Sequence, residues 1–162
     1  MRYKYFFAAF LASTSCLASD SVEEPNLFWN TQDVEFVQHN GHELLVSSDN
    51  NLALYTFKID DSSHKSSPQC TSKKDELPLG SCLARWPAAI TTIEQLSELH
   101  SKNSLFGGVY NSDLKALQLT YDSLPLYYWF KDSENNNFTG NGVVGLWSVV
   151  DKNNGPRLFN GY

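Results

Sequence analysis

The phrase Leu54-Tyr55-Thr56-Phe57-Lys58-Ile59-Asp60 returns later in the chain as Leu126-Tyr127-Tyr128-Trp129-Phe130-Lys131-Asp132, and each copy has a further leucine two positions upstream, Leu52 and Leu124. A duplicated Leu-Tyr-x-aromatic-x-x-Asp phrase implies two related structural units and so restricts the fold more than any single residue does. In an extended strand successive side chains alternate faces, so Tyr55, Phe57 and Ile59 point one way while Leu54, Thr56 and Lys58 point the other. Tyr127 and Trp129 share a face for the same reason, and aromatic rings two positions apart bury a large area. Each aspartate falls where polar residues begin, Asp61-Ser62-Ser63 after Asp60 and Ser133-Glu134-Asn135 after Asp132. An aspartate so placed is expected to accept hydrogen bonds from the amides of its own turn. The functional alternative is that Tyr55, Phe57, Asp60, Tyr127, Trp129 and Asp132 converge across a pseudo-symmetric cleft and bind a ligand, since tyrosine and tryptophan offer an apolar body and one polar tip.

The N-terminus reads as an address. Arg2 and Lys4 precede an apolar stretch from Tyr5 to Ala12 and small residues ending Cys16-Leu17-Ala18, the order of a secretory signal peptide. The stretch is too short to cross a bilayer, which takes about 20 residues. Residues 1–18 are therefore predicted to be the leader, 19–26 a flexible lead-in and 27–162 one secreted domain. A competing reading cleaves just before Cys16 and attaches a lipid anchor to its sulfur. Removal of the leader leaves two of the three cysteines, Cys70 and Cys82, which are expected to pair in an oxidising compartment. Closing that loop contributes about 3 kcal/mol in the chain-entropy treatment.

Charge excludes one class of partner. The mature chain keeps ten basic against eighteen acidic side chains, which makes it a poor match to phosphate backbones or anionic lipid and excludes nucleic-acid binding.

From Leu27 onward short apolar or alternating runs are punctuated by turn residues. Val34 to Gln38 and Leu44 to Val46 flank His39-Asn40-Gly41, an Asn-Gly hairpin signal. Leu52 to Ile59, Leu117 to Tyr121, Leu126 to Phe130 and Val143 to Val150 are predicted as further strands. Asp60 to Pro78 reads as a long loop pinned by Cys70. One helix is predicted, opened by Thr92 with Gln95 three residues on, carrying Ile93, Leu96 and Leu99 on one face and fading near Asn103. The expected fold is mainly β: a single domain of two related antiparallel units (about 41–91 and 109–150), sandwich- or barrel-like, with one short helix and one disulfide.

No catalytic set is visible: there is no Gly-x-Ser-x-Gly, no His-Glu-x-x-His, no phosphate loop and no Cys-x-x-Cys-His. The oxygen-rich run Asp132 to Asn137 lacks the glycine and glutamate of an EF-hand loop. His39 and His42 lie three apart across the Asn-Gly turn, with His64 and His100 elsewhere, and solvated histidines are the commoner case. No cofactor and no metal is indicated.

The combination of the repeated phrase with Cys82-Leu83-Ala84-Arg85-Trp86-Pro87, then Gln118-Leu119-Thr120-Tyr121-Asp122, Pro125-Leu126-Tyr127 and Gly140-Asn141-Gly142-Val143 before Trp147, resembles a bacterial secreted-repeat or predicted lipoprotein family. The resemblance spans roughly Gly41 to Val150 and departs from the family in the eleven residues between the cysteines and in Trp86-Pro87-Ala88, where two prolines are usual. It implies an extracytoplasmic location and no settled activity. The expected function is a non-catalytic binding or interaction module in the cell envelope or periplasm, its partner a small molecule or an envelope protein. The alternative is a redox or metal-handling accessory that uses Cys70 and Cys82 or the histidines.

Overall fold

A computed structural model describes residues 25–63 and 67–161. The leader, Cys16, most of the lead-in and His64 lie outside the described residues. The elements are β1 (Phe28–Asn30), β2 (Val34–His39), β3 (His42–Ser47), β4 (Tyr55–Phe57), α1 (Lys58–Ser63), α2 (Cys82–Arg85), β5 (Ala88–Ile90), α3 (Ile93–Lys102), β6 (Phe106–Asn111), β7 (Ala116–Tyr121), β8 (Leu124–Pro125), a 3-10 turn (Val143–Gly145) and β9 (Trp147–Val149). The chain is mainly β, as its alternation predicts.

β2 and β3 form the hairpin expected from Asn40-Gly41. Both turn residues have positive φ, 49° and 84°, which matches the right-handed twist of the flanking strands. The main sheet runs β1-β5-β7-β6, with β8 added on β7; β1 lies parallel to β5 and the remaining pairs are antiparallel. β4 pairs with β9. Tyr127 lies between them and the main sheet, pairing with Tyr55 on one side and Ala88 on the other.

Alternation along these strands feeds two cores. Tyr55, Ala88, Tyr127, Trp129 and Val149 enter one, together with Leu44, Leu83, Trp86 and Trp147. Leu52, Leu54, Ala89, Leu126, Tyr128 and Val150 enter the other, together with Leu45, Leu99 and Leu119. With both faces covered, the strands carry near-continuous apolar runs.

Among the described residues three α-helices stand where one was expected. The strand predicted to continue to Ile59 stops at Phe57 and turns into α1, whose first turn holds Asp60 and Asp61, acids that complement the positive helix N-terminus. α2 is a single turn whose cap, Ser81, accepts a hydrogen bond from the Ala84 amide at 3.2 Å. Helices this short show no 3.6-residue pattern to read. The predicted final strand keeps only Trp147–Val149, because Gly142 and Gly145 (φ 76° and 66°) bend the chain ahead of it. α3 carries the expected capping box, Thr92 accepting from the Gln95 amide while Gln95 accepts from Thr92 N–H. Its Leu99 is buried, whereas Ile93 is 75% exposed, since the first turn overhangs the core that the rest of the helix covers. Gly108 on β6 lets α3 approach: a Cβ there would lie 2.8 Å from Leu96. Cys70 and Cys82 are joined, as expected.

Candidate functional site

The two phrases meet at their tyrosines. Tyr55 and Tyr127 exchange both backbone hydrogen bonds, at 2.8 and 2.9 Å, and matching bonds radiate from this centre in related pairs. Leu54 N–H donates to Leu45 O and Leu126 N–H to Leu119 O; Lys58 N–H donates to Leu146 O and Phe130 N–H to Arg85 O. The side chains then cross over. Tyr55 O–H donates to Asp132 Oδ2 at 2.6 Å, and Tyr127 O–H donates to Asp60 Oδ2 at 2.9 Å. Each aspartate therefore holds the tyrosine of the other copy.

Both aspartates also bond well beyond the residues that directly follow them. Asp60 Oδ1 accepts from the Gln69 amide at 2.7 Å, and Asp132 Oδ1 accepts from the amide and hydroxyl of Thr139 at 2.9 and 2.6 Å. The reason is burial. Asp132 is 7% exposed and both tyrosines are fully buried, so each phenol needs an acceptor inside the protein, and the aspartate of the partner phrase supplies one. Burial pushes the Asp60 carboxyl up to about 6 against the opposing hydrogen bonds from Gln69 and Tyr127. It raises Asp132 too, against those from Thr139 and Tyr55. The Tyr127 phenol lies well above its ordinary range through burial and then the neighbouring Asp60 charge. These groups form a clasp between the two copies, and the partly exposed Asp60 also lines a hollow of about 370 Å³ with Gly107, Thr120 and Pro125.

The second aromatic of each phrase does reach a cleft. Phe57 stacks on Trp147 (4.2 Å between centroids), Trp147 on Trp86 (3.7 Å, rings 6° apart), and Trp86 on Trp129 (4.1 Å). Tyr55 and Tyr127 meet this ladder edge-on, each 5.4 Å from Trp86 and Trp147 respectively. Gly140 permits the approach: a Cβ there would stand 2.8 Å from Trp86 and 3.0 Å from Tyr55. Beside the ladder lies a cavity of about 320 Å³, lined by Phe57, Trp86, Trp129 and Trp147 and closed by Leu77, Val143, Val144 and Leu146. Arg85, the charged group in the lining, is neutralised by two hydrogen bonds to Asp75 (3.1 and 2.5 Å) and one to Pro78 O. Cys82 also lines the cavity, so the disulfide ties the loop bearing Leu77 to its wall.

Of the six candidate residues, Phe57 and Trp129 thus line the cleft, while Tyr55, Tyr127, Asp60 and Asp132 build the clasp behind it. Trp86 and Trp147 are not among the candidate residues, although each follows its copy of the phrase, Trp86 just ahead of β5 and Trp147 at the start of β9. Other polar side chains make contacts within the fold. His42 Nδ1 lies 2.7 Å from Asp151 Oδ2, His39 stacks on Phe138, and Asn137 Oδ1 accepts from the Ala53 and Phe138 amides. Among the described residues no three His, Cys, Asp or Glu side chains are grouped to hold a metal ion.

Among the described residues no helix is long and apolar enough to cross a membrane. No curated protein and no solved structure matches the chain. Residues 108–151, which contain the second copy of the phrase and Trp147, match a family described as a secreted repeat of unknown function, in keeping with an extracellular or envelope location.

Proposed function

We propose that the protein is a non-catalytic extracytoplasmic binding module whose cleft takes an uncharged, flexible apolar ligand, such as an alkyl chain. One observation carries this reading: the aromatic ladder assembled from both copies borders a cavity with a single, already neutralised charge. Its volume falls at the lower end of small-molecule sites, about 300–1,000 Å³. The ring geometry favours a chain over a flat ring system. Trp147 lies between Phe57 and Trp86, and Trp86 between Trp147 and Trp129, so neither indole has a free face on which to stack a planar ligand. Between them the cavity offers the ring edges of the two indoles, the end rings Phe57 and Trp129, and the branched side chains of Leu77, Val143, Val144 and Leu146.

Titration with decanol, followed by calorimetry, tests this. Saturable binding is expected, with an affinity loss of about tenfold or more for Val144→Asp, which sets a charge at the 80% exposed rim without touching the core. Equal affinity in wild type and variant, or no saturation, contradicts the assignment.

A further inference from the structure

β6 stands at the open end of the main sheet, away from the cleft, and is bonded to β7 on one side only. Asp122 N–H donates to Leu105 O at 2.9 Å and Phe106 pairs with Tyr121, so Leu105 and every second residue after it aim their backbone groups at β7. Phe106, Gly108 and Tyr110 aim theirs outward. Those of Phe106 are taken: its N–H donates to Asn103 O at 3.1 Å, and its C=O accepts from His100 Nδ1 at 2.7 Å. The N–H and C=O of Gly108 and Tyr110 have no partner among the described residues, which leaves a short, bounded stretch of open edge.

Natural edges are guarded by lysine, proline or an inward charge, and Phe106-Gly107-Gly108-Val109-Tyr110-Asn111 carries none of these. By contrast β2, the outer strand of the hairpin, carries Glu35 and ends at His39. The flank of β6 is apolar as well. α3 runs back along it, with His100 bonded to Phe106 and Leu96 close over Gly108. Ile93, seven residues before His100 and on the same helix stripe, therefore lies toward Tyr110, while Glu94 and Glu98 fall on other stripes. Ile93 is 75% exposed and Tyr110 60%.

We propose that a second copy of this chain pairs its β6 with this one, antiparallel, across a two-fold axis at Val109. In that register Gly108 faces the partner's Tyr110 and Tyr110 faces the partner's Gly108, so every open edge group meets its complement. Moving the axis to Gly108 would set Tyr110 against the occupied Phe106; moving it to Tyr110 would set Gly108 against Ser112, beyond the strand. Each exposed Tyr110 ring lies across from a glycine, an arrangement in which an aromatic covers bare backbone. No charge meets its like: Asp113 falls opposite Leu105, Lys115 opposite Asn103 and Lys102 opposite Ala116. The stretch is complementary to itself, which selects a second copy over an unrelated strand, and the two-fold closes the assembly at two.

Sedimentation equilibrium of the full chain tests the pairing, with cysteine cross-linking by oxidised glutathione, which is reduced as two thiols join. A monomer–dimer equilibrium is expected, weakened about tenfold or more by Tyr110→Lys, which guards the edge at an exposed position. At the axis the two copies of residue 109 form a non-hydrogen-bonded pair with Cα atoms about 4.5 Å apart, within disulfide reach. Val109→Cys should therefore cross-link beyond the wild type. The two copies of residue 110 stand about 8 Å apart, so Tyr110→Cys should not. A monomer at every concentration overturns the proposal, as does a dimer that Tyr110→Lys leaves unchanged. Cross-linking through Tyr110→Cys in place of Val109→Cys, or through neither, overturns it too, since the axis would then lie elsewhere.

Discussion

Trp86→Ala is expected to cost about 3–5 kcal/mol of unfolding free energy, a large share of the roughly 5–15 kcal/mol that holds a domain of this size together. Trp86 is 3% exposed, stacks on Trp147 and Trp129, meets Tyr55 edge-on, and fits against Gly140 with no slack. Its removal takes away one ring's burial and leaves a gap at the centre of a ladder that both copies share, so the neighbouring indoles lose their packing as well. Trp129→Ala, at the end of the ladder, should cost less. Urea denaturation of both variants measures the difference; a loss under about 1 kcal/mol for Trp86→Ala would mean that the ladder is incidental to the fold.

Stability should also rise as the pH falls from about 7 to about 5. Burial holds the Asp60 carboxyl at about 6 in the folded protein, above its unfolded value of 3.8, and it raises Asp132 in the same direction. A native state that keeps its proton to higher pH than the unfolded chain is favoured at low pH, and that advantage is lost as the pH climbs through the folded value. For the half-buried Asp60 this amounts to about 1–3 kcal/mol between pH 4 and 7, after allowance for solvent screening. Asp33 and Asp151 act in the opposite sense, but lower on the scale. Burial pushes both upward, yet hydrogen bonds from Lys102 and the Val34 amide, and from Asn154 and His42, hold them below the ordinary carboxylate range, so their contribution disappears only under about pH 4. Asp60→Asn keeps an acceptor for the Gln69 amide and removes the titration. Its denaturation free energy should be flatter across pH 5–7 than that of the wild type; an unchanged slope would place the titrating group elsewhere.

Much of the architecture is legible in the chain. The Asn40-Gly41 hairpin, the capped helix from Thr92, the Cys70–Cys82 bond and the two faces of each phrase all follow from local chemistry: turn residues, capping residues, thiol count and alternation. The short helices α1 and α2 did not show, because four to six residues carry too little periodicity to compete with a strand reading. The site was half legible. The duplicated phrase pointed to a pseudo-symmetric centre, and Phe57 and Trp129 do reach the cleft. That the aspartates would swap tyrosines between copies depends on Tyr55 pairing with Tyr127, a long-range register that spacing within either phrase does not encode. The contribution of Trp86 and Trp147 likewise arises only when the two copies are brought face to face.

The four tryptophans provide the most direct measurement of the ligand reading. Their indole N–H resonances, assigned through single Trp→Phe variants, can be followed by NMR while decanol is added. Trp86, Trp129 and Trp147 line the cleft and should shift together and saturate, whereas Trp29, which packs on Tyr128 and does not line the cleft, should stay in place. Movement of Trp29 alone, or no saturable shift in the other three, would contradict binding at the aromatic ladder.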